Sequence, residues 1–206
     1  MTPCCHDNFV WFGGTRLSKK QTMKILCVAS ALFLSAAAAS AANIVLDGDF
    51  EGGFVGFTPP WTVTSSTNNI GVSTAFSADT PQAGSFFAFF GDGIPITNHL
   101  DQTLTTIIGD EYSISFYLAV QPDSVSDGSF FGSHSLAPSM AVGWTGSSFT
   151  TYNFPASEAF TQAYTQYTLF HFATTTSTNL EFAGSDDYKS AILLDTVVVT
   201  DLGAIP

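Results

Sequence analysis

Tyr112, Ile114, Phe116 and Leu118 are apolar at every second position, with Ser113 and Ser115 set between the first three. A two-residue repeat puts one set of side chains on each face of an extended chain, so this run reads as a half-buried β-strand. The same period recurs in Ile44, Leu46 and Phe50, and in Tyr167, Leu169 and His171 against Thr168, Phe170 and Phe172. Ser85-Phe86-Phe87-Ala88-Phe89-Phe90-Gly91 is apolar on both faces, which suits a strand inside a sheet or one crossing between two sheets. Turn residues punctuate these runs at Gly52-Gly53, Pro59-Pro60, Gly91-Asp92-Gly93, Gly109-Asp110, Ser126-Asp127-Gly128, Gly146-Ser147 and Gly184-Ser185. Short strands at such spacing predict an all-β sandwich. The one weak helical stretch, Ala156 to Ala163, is short and rich in Phe and Thr.

Composition supports this and removes several functions. Of the 164 residues from Asn43 onward, 41 are Ser or Thr and 17 are Phe, a poor mixture for helices. The same segment holds one lysine, no arginine and 16 Asp plus Glu, a net charge of −15. Binding to phosphate backbones or anionic lipid needs clustered Lys and Arg, so nucleic acid and membrane surface are excluded as partners. The segment also has no cysteine, which removes disulfides, thiolate-bound zinc and a thiol nucleophile.

Residues 23–42 read as a secretory signal: Lys24, an apolar run, then small residues ending in Ala39-Ser40-Ala41. The run is shorter than the roughly 20 residues that span a bilayer. Residues 1–22 carry no pattern, and Met23-Lys24 is the better signal start, so they read as a mis-assigned extension. The adjacent Cys4 and Cys5 lack metal-ligand spacing, and Cys27 opens the apolar run where a lipid-anchored cysteine would follow it. The expected location is therefore outside the cell or on its surface.

Three stretches carry a resemblance: Asn43-Ile-Val-Leu-Asp-Gly-Asp-Phe-Glu51; Leu100-Asp-Gln-Thr-Leu104 with Gly109 and Tyr112-Ser-Ile-Ser-Phe116; and Leu193-Leu-Asp-Thr-Val197. In this order they resemble galactose-binding-like jelly rolls, which occur in carbohydrate-binding modules and in bacterial PEP-CTERM exported proteins. The resemblance implies one jelly-roll β-sandwich over residues 43–200. Residues 201–206 look like the lead-in to a Pro-Glu-Pro sorting motif, and the sequence stops before one. It implies first a non-catalytic, secreted protein of the cell surface or extracellular matrix, and as an alternative a module that binds polysaccharide.

The resemblance also implies a structural calcium. In such jelly rolls acidic residues from the first and last strands join backbone carbonyls around a hard cation, which places Glu51 and Asp195 as ligands. Asp49 or Asp47 stands ready to substitute for Glu51, and the loop Asp79 to Gly84 would give the carbonyls. Asp186-Asp187, before Lys189, reads as a solvated turn.

A glycan site needs flat rings with amides or carboxylates nearby. Trp144, Tyr152, Trp61 and Tyr188 are the candidate rings. Trp61 opens a strand, where core packing competes with a ligand role, and Trp144 ends a strand before a turn, where rim and core are both open. Aromatic rings exposed in a row would favour glycan binding, and buried tryptophans the matrix reading. Catalysis has little to stand on. His99, His134 and His171 lie in unrelated contexts without a nucleophile turn, and His171 reads as a strand-surface residue. A paired-carboxylate glycoside hydrolase is the third reading.

Overall fold

The computed structural model describes residues 42–52, 60–64, 70–74, 80–91, 97–122, 137–155, 162–185 and 190–205. Among the described residues the alternation is realised as ten strands: β1 (Thr62–Thr64), β2 (Ile70–Ser73), β3 (Phe87–Gly91), β4 (Thr97–Thr105), β5 (Asp110–Pro122), β6 (Ser139–Trp144), β7 (Thr150–Asn153), β8 (Gln162–Phe172), β9 (Ser177–Ser185) and β10 (Ser190–Ala204). They form two five-stranded sheets of antiparallel pairs, ordered β1-β4-β9-β6-β7 and β2-β3-β10-β5-β8. Apart from the consecutive pairs β2-β3 and β6-β7, strands that follow one another in the chain lie in different sheets, as in a jelly-roll sandwich. Residues 1–41, which include the signal segment up to its last residue, the helical candidate's first six residues, His134, Asp79, Asp186, Asp187 and Tyr188 lie outside the described residues. Among the described residues, no helix is long and apolar enough to cross a membrane.

Parity decides what is buried. Tyr112, Ile114, Phe116 and Leu118 of β5 all point inward and are buried, and Leu100, Leu104, Met140, Val142, Leu180 and Phe182 meet them from the other sheet. Each fully buried side chain of this size contributes about 1.5–3 kcal/mol relative to exposure. The phenylalanine-rich run becomes β3, paired with β2 on one side and β10 on the other. Its outward apolar residue Phe87 joins Ala119 and Leu193 in a second small buried cluster, which explains why both faces are apolar.

Two expectations are corrected. Residues 44–50 are not a regular strand: Asp47 and Phe50 take φ of 52° and 58°, which breaks the alternation, so Val45 and Phe50 are buried and Leu46 is 63% exposed. The segment is held by hydrogen bonds to both sheets. Ile44 N–H donates to Val199 O at 2.9 Å, Leu46 N–H to Gln102 Oε1 at 2.9 Å and Gln102 Nε2 to Leu46 O at 2.9 Å. At the other end, β10 runs to Ala204, four residues into the segment read as a tail. Tyr112 Oη donates to Asp201 at 3.0 Å and accepts from Ile107 N–H at 2.9 Å, tying that end down.

Candidate functional site

In β4 the inward residues are Asn98, Leu100, Gln102 and Leu104, so Thr97, His99, Asp101, Thr103 and Thr105 face outward. In β9 the same parity turns Ser177, Asn179 and Glu181 outward beside them. Register sets Asp101 directly opposite Glu181, Thr103 opposite Asn179, and His99 opposite Ala183. Long side chains reach diagonal neighbours across a sheet. Asn179 Nδ2 donates to Asp101 Oδ1 at 2.8 Å, and His99 Nδ1 lies 2.5 Å from Glu181 Oε1, which places the ring proton on Nδ1. Burial raises the Asp101 carboxyl above its usual value against the Asn179 hydrogen bond, and the Glu181 charge adds to the rise.

The row continues into β6, where Gly143 stands opposite Glu181. A Cβ built on Gly143 would lie 2.6 Å from Phe149 Cε1, so the Phe149 ring covers the place a side chain would take. Gly143 thus seats an aromatic ring that is 50% exposed, on the sheet face that also carries two carboxylates, an amide and an imidazole. Flat apolar surface beside fixed hydrogen-bonding groups is the chemistry that holds a sugar. Sequence reading missed Asp101, Asn179, Glu181 and Phe149 as a group, although the polar parity of β4 and β9 was visible.

The rings singled out from sequence lie elsewhere. Trp61 and Trp144 are 3% and 2% exposed, so neither offers a face to a ligand. Trp61 Nε1 donates to Asp47 O at 2.9 Å, and Trp144 Nε1 to Phe172 O at 3.1 Å. Trp144 follows Met140 and Val142 at the same parity, which turns it inward. Tyr152 is half-buried, 4.4 Å centroid to centroid from Tyr167 and 5.8 Å from Phe116.

His171 is corrected from a surface position to an inward one. Its ring lies 13° from parallel with Trp144, and Nε2 is buried with no hydrogen-bond partner among the described residues. The outward residues there are Phe170 and Phe172. Burial lowers the His171 pKa from the ordinary 6.5. The folded state then binds fewer protons than the unfolded one, so stability falls as pH drops through the unfolded value, by at most about 1.4 kcal/mol per pH unit. His171→Phe is expected to gain on the parent between pH 8 and pH 5 in urea denaturation. A difference that does not change with pH would rule out a buried neutral His171.

The acidic residues predicted to hold calcium form a different device. Asp195 Oδ2 accepts N–H bonds from Gln82 at 2.8 Å and Ala83 at 3.2 Å, and its Oδ1 accepts from Thr196 N at 2.6 Å and Thr196 Oγ1 at 3.3 Å. Glu51 Oε1 accepts from Ser85 N at 2.5 Å and Phe86 N at 2.8 Å. Between these donors Gly84 takes φ +67°, and a Cβ there would lie 2.2 Å from Glu51 Oε1. Thr196, at φ 52° in a register shift of β10, shares its single Oγ1 proton between Asp195 Oδ1 and the nearer Gln82 Oε1 at 2.8 Å. Burial pushes the Asp195 carboxyl up, opposed by the hydrogen bonds from Ala83, Thr196 and Gln82.

A chain of backbone N–H groups is a seat for anions, and here the anions are the protein's own carboxylates. Calcium needs six to eight oxygens, yet both Asp195 oxygens are committed to donors. Asp49 is turned to Glu51 N at 3.4 Å and Asp47 to Gly52 N at 2.8 Å, so neither joins the pair. Among the described residues no three His, Cys, Asp or Glu converge on one point. In this arrangement a cation would have to take these oxygens from their backbone donors.

No protein-family model matches the chain, and no curated protein matches it in sequence. Solved structures do. TmCBM61, solved in complex with β-1,4-galactotriose, aligns over 78% of this chain and 99% of its own at 12% identity and a TM-score of 0.55. The enzymatically active domain of tailspike protein 4 of bacteriophage CBA120 aligns over 78% of this chain and 21% of its own at 14% identity and a TM-score of 0.51. A cleaved adhesin domain of Lys-gingipain from Porphyromonas gingivalis covers 76% of this chain and 98% of its own at 20% identity and a TM-score of 0.50. Likeness at this level of identity speaks for architecture alone: the chain is an all-β jelly-roll sandwich, the fold that TmCBM61 also has.

Proposed function

We propose that the protein is a secreted, non-catalytic module that binds polysaccharide on the outer face of the β1-β4-β9-β6-β7 sheet. The observation that carries this is the row Asp101, Glu181 and Gly143, with Phe149 seated over the glycine and His99 and Asn179 fixing the two carboxylates. The carboxylates accept sugar hydroxyls, and the ring takes the apolar face of a pyranose. Asp101 and Glu181 lie side by side on one face, an arrangement suited to holding hydroxyls. Hydrolysis would need two carboxyls facing each other across a scissile bond. The likeness to a galactotriose-bound module supports the fold on which this reading rests.

The matrix reading keeps one observation in its favour, the burial of both Trp61 and Trp144. A PEP-CTERM-type setting at the cell surface would supply the polymer that such a module holds, so the two readings describe one protein at two scales. Affinity electrophoresis through soluble polysaccharides tests the site. Phe149→Ala and Glu181→Ala are each expected to weaken retardation at least about tenfold, a loss of roughly 1.4 kcal/mol. Retardation equal to the parent in both variants would move the site off this face.

A further inference from the structure

Resting on that reading, we infer that this surface selects uncharged polysaccharide and that the Asp101–Glu181 pair is the element that rejects anionic chains. Like charges placed directly opposite each other weaken a sheet, and a solvated face ordinarily sets a lysine against a carboxylate. Here two carboxylates occupy facing positions on β4 and β9. What ties them is an amide and an imidazole, Asn179 for Asp101 and His99 for Glu181, so neither is matched by Lys or Arg. The sequence has no arginine after Arg16 and no lysine between Lys24 and Lys189, so none of the five strands of this sheet carries either residue.

The remaining acceptors define the ligand. Among the described residues, Asp101 Oδ2 and Glu181 Oε2 accept no hydrogen bond, which leaves one oxygen of each carboxylate for an incoming donor. Sugar hydroxyls are such donors, and neighbouring hydroxyls of one pyranose can serve the two acids together. A uronate, sulfate or phosphate ester brings acceptors where donors are needed. It also brings negative charge to within a few ångströms of two carboxylates, on a domain already strongly acidic. The exposed Phe149 ring adds an apolar contact that favours an uncharged ring over a strongly hydrated anionic one.

The test is a comparison of matched polymers: hydroxyethylcellulose against carboxymethylcellulose, and β-1,4-galactan against polygalacturonate, in affinity electrophoresis and by calorimetry. The expected result is binding to neutral polymers with anionic partners at least about tenfold weaker at low salt, the gap narrowing at about 0.5 M salt as charges are screened. Glu181→Gln and Asp101→Asn are expected to raise the anionic-to-neutral affinity ratio about threefold or more, with circular dichroism melts establishing that each variant is folded. Equal or tighter binding of the anionic polymers by the parent overturns the inference and leaves the glycan-binding reading standing. An unchanged ratio in folded variants overturns the role of the acid pair. Failure to bind any neutral or anionic polymer overturns the glycan-binding reading itself, and the inference with it.

Discussion

Asp195→Ala is expected to destabilise the domain by about 3–5 kcal/mol, among the largest single effects in the molecule. Asp195 is fully buried and takes four hydrogen bonds, three of them from backbone N–H groups. Removing it strands the Gln82, Ala83 and Thr196 donors in a site with little water, each at a cost of about 1–3 kcal/mol if nothing replaces the carboxylate. It also loosens the loop between Gln82 and Phe86 from the last strand, leaving the Thr196–Gln82 side-chain bond and Glu51 to hold it. Asp195→Asn is expected to cost less, because one oxygen survives, but its amide hydrogens would face N–H donors. Urea denaturation reads both effects. The same geometry predicts that millimolar-scale calcium and chelator give one melting temperature. A ligand that binds only the native state must raise stability in proportion to its occupancy, so a calcium-dependent rise of several degrees would show that Asp195 and Glu51 release their N–H partners to a cation.

That device illustrates where sequence reading reaches and where it stops. Glu51 and Asp195 were visible as acidic residues near the two chain ends, and the structure does bring both to the same loop. What they hold depends on the backbone direction of residues 82–86, which turns on the positive φ of Gly84 and the register shift after Asp195. Neither is written in residue type alone. The fold was legible because parity is a local signal: Tyr112, Ile114, Phe116 and Leu118 declare their face without knowledge of their neighbours. Parity could also have turned His171 inward with Tyr167 and Leu169, but the two phenylalanines beside it argued for the other face. Phe170 and Phe172 instead take the outward parity of β8 and are exposed, while Tyr167 and Leu169 pack against the core. The candidate binding surface was the least legible part. Asp101 and Glu181 are 80 positions apart in the chain, and only the pairing of β4 with β9 makes them neighbours.

Trp144→Ala is expected to cost about 3–5 kcal/mol and to act on folding before it acts on any ligand. The indole lies between two inward rings, its centroid 5.5 Å from Tyr112 and 6.3 Å from His171, and its Nε1 donates to Phe172 O. Truncation opens a cavity between the sheets and leaves the Phe172 carbonyl without that donor. It also removes the surface on which His171 stacks, next to an Nε2 that already has no partner among the described residues. Trp144→Phe keeps most of the volume and loses the N–H, so a cost of about 1–2 kcal/mol is expected. The two variants separate packing from hydrogen bonding, and urea midpoints at constant slope measure both. The order of effects also separates two positions for the ring. A rim tryptophan would lose glycan binding while stability stayed within about 0.5 kcal/mol of the parent, as surface substitutions do. The buried ring seen here predicts the reverse: Trp144→Phe remains folded and still binds, because Phe149, Asp101 and Glu181 sit on the opposite face of the same sheet.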